Sequence, residues 1–168
     1  MKYKNFILIL QLLFVAFFAN AQSPEQNLEK LELTLPEVGA PIANYVKWKQ
    51  VGNLLYLSGT GSDVYGKVGA ELTIEEGYQA ARETGLEVIA VLKAATGDLS
   101  KVKQFMKVLG MVNSDPNFDK QPAVINGFSD LMVEIFGEKG KHARSAVGVA
   151  ALPNNMAVEI EVIVELED

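Results

Sequence analysis

The sequence predicts an α+β domain in which a mixed sheet carries two helices on one face. Two segments with helical periodicity and several runs rich in β-branched residues support this prediction. Along the chain they follow the order β-β-α-β-α-β-β, with room for one more short strand before the first helix. Such an order is typical of a single helical layer packed on a mixed sheet.

The first two predicted strands form a hairpin. Residues 45–51 and 54–58 are β-prone, and Gly52-Asn53 between them is a pair that favours a tight turn. Glycines are scattered through the loop that follows, but they lack the GxGxxG spacing of a dinucleotide site and its strand-to-helix context.

The first predicted helix begins after Thr73, since Glu76 three residues later completes a capping-box pattern. Its apolar residues recur at helical spacing, and Gly97 is well placed to end it. A β-branched run at 102–112 predicts the next strand, with Gly110 as a bulge or a point of close approach.

The second predicted helix spans residues 121–136. Pro122 suits its first turn, and Gly137 suits its end. Residues 113–119 form the turn before it. No internal repeat or low-complexity segment interrupts the order.

Residues 143–166 predict a second hairpin around the turn Pro153-Asn154-Asn155. Its first arm carries a single cation, Arg144. Its second arm alternates aliphatic and acidic residues, which places the acids on one face of the strand. These acids are Glu159, Glu161, Glu165 and Glu167. An arginine opposite an acidic row is the first place to expect a site.

The N-terminus has the pattern of a secretory signal. Lys2 and Lys4 precede an apolar run at residues 6–19, and small residues then allow cleavage between Ala21 and Gln22. The run is shorter than the ~20 residues of a membrane-spanning helix, so a stable membrane anchor is not predicted. We expect a secreted or periplasmic protein with a flexible leader at 22–34 and one domain at 35–168.

Charge and cysteine content exclude several classes of function. Removing residues 1–21 takes away two lysines and no acid, so 13 basic and 21 acidic residues leave a net charge of −8. That charge argues against general nucleic-acid or anionic-membrane binding. The absence of cysteine excludes disulfides, thiol nucleophiles and zinc–thiolate sites. With a single histidine and no pair of acids at metal-ligand spacing, the sequence does not predict a metal site.

Each candidate residue also has a plain structural interpretation. Arg144 could hold a substrate carboxylate with two parallel N–H donors, or form a sheet-surface ion pair with Glu159 or Glu161. Glu159 could activate a water molecule, or remain a solvated strand residue. His142 is expected to be a loop histidine. Ser58 lacks the surroundings of a hydrolase nucleophile, Tyr45 and Trp48 are expected to be core or interface aromatics, and Asn126 could be a surface amide.

Several segments resemble the RidA/YjgF family of reactive-intermediate (2-imino acid) deaminases. They are ANYVKWKQVGNLLYLSGTG at 43–61, the first helix, QPAVINGFSDLMVEIFGE at 121–138, and ARSAVGVAALP followed by VEIEVIVEL at the C-terminus. The resemblance covers residues 35–166. Longer loops at 61–72 and 114–121 suggest the extended YjgF-like branch.

The resemblance implies a chorismate-mutase-like fold and a homotrimer with ligand pockets between subunits. In that family pattern Arg144 binds the carboxylate of a small 2-imino acid, and Glu159 helps water attack the C=N carbon, without a cofactor. The pocket would also include Tyr45, Ser58, Gly59, Asn126 and the backbone of Ala146.

Three features depart from the family pattern. Ala146 stands where many members have cysteine, Gly148 replaces a larger and often acidic residue, and the signal sequence predicts export. These departures keep a second class open, a non-catalytic protein that binds a small carboxylate in the same pocket. A ribonuclease, a name attached to some members of the family, fits the acidic chain poorly.

Overall fold

The structure is a computed structural model that describes residues 22–41 and 43–168. The predicted signal sequence lies outside the described residues, so export stays a prediction. Within the described residues, no helix combines the length and apolar character needed to span a membrane.

One five-stranded mixed sheet forms the centre of the molecule. Its strands are β1 (Trp48–Val51), β2 (Leu54–Gly61), β3 (Val102–Asn113), β4 (Ala143–Val149) and β5 (Val158–Leu166). They lie in the order β1-β2-β5-β3-β4. Only the pair β3–β4 is parallel, and the other neighbours are antiparallel. The predicted mixed α+β sheet is therefore confirmed.

Three α-helices of the described residues accompany the sheet: α1 (Pro24–Lys30), α2 (Ile74–Thr96) and α3 (Gln121–Phe136). The two long ones match the predicted helices. Thr73 and Glu76 form a complete capping box at the start of α2, and Gly97 ends it in the left-handed conformation at φ 74°.

Helix α1 was not predicted, because residues 22–34 were expected to be a flexible leader. Ser23 caps this helix through a capping box, and Leu28 is buried in the core. The Asn27 side-chain amide donates to the Ile135 carbonyl at 2.8 Å. A single buried leucine in seven residues is too short a pattern to reveal a helix from periodicity.

The predicted C-terminal hairpin is wrong. Strands β4 and β5 both pair with β3, which lies between them. The connection at 150–157 is long enough to cross one strand, and Asn154 within it has a φ of 54°. Local turn residues do not choose a strand's partner, whereas the apolar β3 gains most by pairing on both sides.

Two smaller expectations at the N-terminal end also differ. Strand β1 begins at Trp48, so Tyr45 lies in the segment before it. The optional strand before the first helix is absent from the described loop, which makes only isolated bridges such as Val68 with Ser114.

The two faces of the sheet have different surroundings. Val108 and Val162 lie opposite each other and are fully buried against the helices. Gly110 marks a close approach, because a methyl group there would collide with Ile125 of α3. The bulges of β3 fall nearer the start of the strand, so Gly110 is a point of close approach and not a bulge. The other face, which includes Tyr56 and Val147, remains uncovered within the chain.

Candidate active site

Arg144 lies on the edge strand β4, and its side chain is directed toward helix α3. Its backbone pairs with Val108, whose side chain faces the helices, and side chains of paired residues share a face. Arg144 Nη1 donates to Asn126 Oδ1 and to Ser129 Oγ, both at 2.9 Å. Asn126 and Ser129 are three residues apart, so one helical turn presents both acceptors to the guanidinium.

Both acceptors of Arg144 are neutral. Among the described residues, none of the ion pairs involves Arg144. The interpretation of Arg144 as a surface ion-pair partner of Glu159 or Glu161 is therefore wrong. A guanidinium has five N–H donors, and Nη1 supplies the two bonds to α3, so the other nitrogens can still meet a planar anion.

His142 extends this hydrogen-bond chain. Its Nδ1 lies 2.7 Å from the Gly140 carbonyl, which can only accept, so Nδ1 carries the proton. Its Nε2 then accepts from the Ser129 hydroxyl at 3.0 Å, which leaves the Ser129 oxygen to accept from Arg144. Burial lowers the pKa of His142 and the Arg144 charge lowers it further, against the effect of the Gly140 carbonyl. The neutral ring thereby orients Ser129.

A cavity of about 260 Å³ lies beside this group, lined by Ser129, Val133, Lys141, His142 and Arg144. Sequence reasoning missed Ser129. The signal that could have found it is its spacing of three residues from Asn126 on a predicted helix.

Glu159 lies on the opposite face of the sheet. It pairs with Met111, three residues along β3 from Val108, and an odd separation reverses the face. Its side chain is half-buried, and burial raises the pKa of the carboxyl group, with the charge of Glu161 raising it further. The carboxylate is thus a stronger proton acceptor than an ordinary exposed glutamate.

A bulge in β2 makes room for Glu159. Between the pairs Leu57–Val162 and Thr60–Ile160, β2 contains one residue more than β5. Gly59 lies in this bulge, and a methyl group there would overlap Glu159 Oε1.

Ser58 in the same bulge connects the site to the segment before β1. Its hydroxyl donates to the Val46 carbonyl at 2.7 Å, next to Tyr45, whose side chain is 42% exposed. Gly59 thus lies against Glu159, and its neighbour Ser58 is bound to the segment that contains Tyr45.

The residues of the candidate site therefore form two groups within one chain. Arg144, Asn126 and Ser129 lie on the helix side of β4, with Ala146 two residues along the same face. Glu159, Ser58 and Gly59 lie on the open side, and β3 separates β4 from β5. Among the described residues, no cluster of three His, Cys, Asp or Glu side chains could hold a metal ion.

Comparison with known proteins identifies the family. The family model described as "YjgF/chorismate mutase-like, putative endoribonuclease" matches residues 25–166. The chain is 45% identical over 149 residues to protein TCP17 of Trypanosoma cruzi, covering 84% of this chain and 93% of that protein. It is 35% identical to the 2-iminobutanoate/2-iminopropanoate deaminase of Dermatophagoides farinae, covering 80% and 95% respectively.

The fold comparison agrees. The crystal structure of protein Atu1372 from Agrobacterium tumefaciens, a protein of unknown function, is 42% identical and has a TM-score of 0.80. The match covers 86% of this chain and 93% of that one. By sequence and by fold, this chain belongs to the YjgF/RidA family.

Proposed function

We propose that the protein hydrolyses small 2-imino acids to 2-keto acids and ammonia. The observation that carries this proposal is the guanidinium of Arg144, which two neutral oxygens of α3 hold in place without an acidic partner. A fixed, uncompensated guanidinium is suited to a carboxylate, because it offers two parallel N–H donors.

Glu159 supplies the proton acceptor in this reaction. An iminium carbon is already electrophilic, so the protein needs only to orient it and to manage protons. Glu159 takes a proton from water while the water oxygen forms a bond to the imine carbon. The proton on Glu159 returns to the nitrogen of the resulting carbinolamine, and the C–N bond then breaks to release ammonia. The hydroxyl proton of the carbinolamine passes to the Glu159 carboxylate as the C=O group forms.

A second copy of the chain completes the pocket in this proposal. Arg144 and Glu159 of one chain lie on opposite faces of the sheet, so a single chain does not present both to one small molecule. Two features support association: β4 is an edge strand, and apolar side chains such as Val147 and Tyr56 remain about 40% exposed on the open face (41% and 42%). The homotrimer implied by the family resemblance would bring the two groups together.

The name of the mite relative also supports the proposal. The Dermatophagoides farinae protein is named as a deaminase of 2-iminobutanoate and 2-iminopropanoate, and the match to it covers 80% of this chain. Both of those substrates carry the carboxylate that Arg144 is placed to bind.

The test is an imine-hydrolysis assay in which an amino-acid oxidase generates the imine in place. We expect the purified protein to accelerate imine loss, and Arg144→Ala to reduce kcat/KM by roughly 10²-fold, since it removes charge-assisted hydrogen bonds. Arg82→Ala is the matched control, because Arg82 forms an exposed ion pair with Glu134 on the helices.

Equal activity of Arg144→Ala and the unmodified protein would overturn the proposal. Saturable binding of a small carboxylate without turnover, lost in Arg144→Ala, would instead identify a binding protein that uses the same arginine.

A further inference from the structure

A second cavity, of about 500 Å³, lies at the start of helix α3 and shares no lining residue with the cavity beside Arg144. Its walls come from the loop before α2, the loop between β3 and α3, and the end of β4. The polar side chains that line it are Lys67, Ser114, Asp115 and Gln121.

The two loops hold each other in place. The Val68 amide donates to the Asn113 carbonyl at 2.9 Å, and the Asp115 amide donates to the Val68 carbonyl at 3.0 Å. Val68 is fully buried. The cavity is therefore bounded by backbone that is fixed by hydrogen bonds and packing.

Lys67 brings a positive charge to this cavity. Its ammonium donates to Asn113 Oδ1 at 2.7 Å and to the Ala150 carbonyl at 2.8 Å, and both acceptors are neutral. None of the ion pairs among the described residues includes Lys67. Since an ammonium has three N–H donors, one remains for a ligand.

Ser114 adds a polar group that points to a ligand. Its side chain is only 6% exposed, it lines the cavity, and its hydroxyl forms no hydrogen bond with another described residue. Among the described residues no buried polar side-chain atom lacks a hydrogen-bond partner, so the unpaired Ser114 oxygen is open to the cavity, where a ligand can reach it.

Gly148 keeps the cavity open. A Cβ atom at this position would lie 2.8 Å from both Ser114 Oγ and Gln121 Nε2. Any larger residue would therefore press on the polar groups that line the space, whereas glycine leaves them accessible.

We propose that this cavity binds a small α-amino acid as a zwitterion, with its carboxylate on Lys67 and Ser114 and its ammonium near Asp115. The two charged side chains of the lining have opposite signs, and no ion pair among the described residues joins them. Asp115 Oδ1 accepts from the backbone and side-chain amides of Asn117, which leaves Oδ2 for the ligand ammonium. Asp115 would repel a dianion such as phosphate, while a zwitterion complements both charges. This assignment does not depend on the proposed imine hydrolysis.

The test measures binding by titration calorimetry to the purified Arg144→Ala protein, in which the other carboxylate site is removed. The probes are L-alanine, propionate, ethylamine and inorganic phosphate. We expect L-alanine to bind saturably and at least about tenfold more tightly than the other three, because only it matches both charges.

Two further substitutions in that protein locate the site. Lys67→Met removes the ammonium but keeps the side-chain stem, and Gly148→Leu fills the cavity without touching the charge. Each should abolish L-alanine binding, while the thermal unfolding midpoint reports whether the variant still folds.

The assignment is overturned if Arg144→Ala binds no L-alanine, or if folded Gly148→Leu and Lys67→Met proteins still bind it. Binding of propionate or phosphate as tight as that of L-alanine would also overturn it.

Discussion

Glu159 shows how its surroundings adapt one residue to a chemical task. Burial in the β2 bulge and the charge of Glu161 both raise the pKa of its carboxyl group, with burial the larger cause. A raised pKa strengthens the carboxylate as a proton acceptor. The same surroundings make the ionised carboxylate of Glu159 less favourable in the folded protein than in the unfolded chain. Such a loss of stability is common at functional sites.

This leads to a prediction about pH. Glu159 must be ionised to accept a proton, so kcat/KM for imine hydrolysis should fall as pH drops through the folded-state pKa, above the ordinary value of 4.5. Glu161→Gln removes one of the two causes, so its acid limb should lie at lower pH than that of the unmodified protein. Glu159→Gln should lose activity by about 10²-fold or more. Rates measured across pH for the three proteins provide the check.

Glu159→Gln should also change the stability of the folded protein. A carboxyl group whose pKa is higher in the folded state favours folding below its unfolded-state pKa, and this advantage is lost as pH rises through the folded-state pKa. Glu159→Gln should therefore melt above the unmodified protein at pH 7, and the difference should shrink as pH falls toward 4.5. A higher melting temperature for the unmodified protein at pH 7 would contradict the assigned cause.

At the scale of elements, the bulge in β2 and one turn of α3 each position a group. The extra residue in β2 places Gly59 against Glu159, and the spacing of Asn126 and Ser129 on α3 fixes Arg144. The bulge thus places a residue without a side chain next to the carboxylate.

Substitution at the bulge should separate activity from stability. A methyl group in Gly59→Ala would collide with the end of the flexible Glu159 side chain, so the carboxylate should move while the fold remains. A displacement of about 1 Å can cost roughly 10²-fold in rate, and kcat should fall accordingly. The matched control is Gly61→Ala, where the methyl group meets the flexible end of Met156 instead. Equal rates for the two variants, measured with 2-iminopropanoate, would show that Gly59 has no such role.

At the scale of the whole molecule, the sheet has one covered and one open face. The helices cover the face that bears Arg144, and the open face bears Glu159 among exposed apolar residues. Large apolar patches on a monomer commonly mark association surfaces. Activity and assembly should therefore depend on each other.

Val147→Glu tests this dependence. Val147 is 41% exposed and faces the open side of the edge strand, where a charge costs the isolated chain little. If this face joins subunits, the charge should shift the protein toward monomer and reduce imine hydrolysis together. Light scattering coupled to size exclusion gives the mass, and circular dichroism confirms folding. A monomeric, folded and fully active variant would show that one chain suffices.

Local sequence patterns determined the bounds of the two long helices and the two faces of the last strand. The capping box at Thr73, the glycine at position 97 and Pro122 place the two long helices within a residue of their observed bounds. Alternation in the last strand correctly separated Glu159 from the aliphatic residues of the core. Each of these signals acts over a few residues, through backbone hydrogen bonds and side-chain periodicity, so a single sequence contains it in full.

Only the tertiary structure decided how the site is divided. The predicted hairpin placed Arg144 opposite the glutamates. In the structure β3 lies between the two strands, and the register of their pairing with β3 puts Arg144 and Glu159 on opposite faces. The bonds from Ser129 to Arg144 and His142 likewise arise only when α3 packs against β4. Strand order and helix packing depend on burial summed over the whole core, and no short segment of the chain contains that sum.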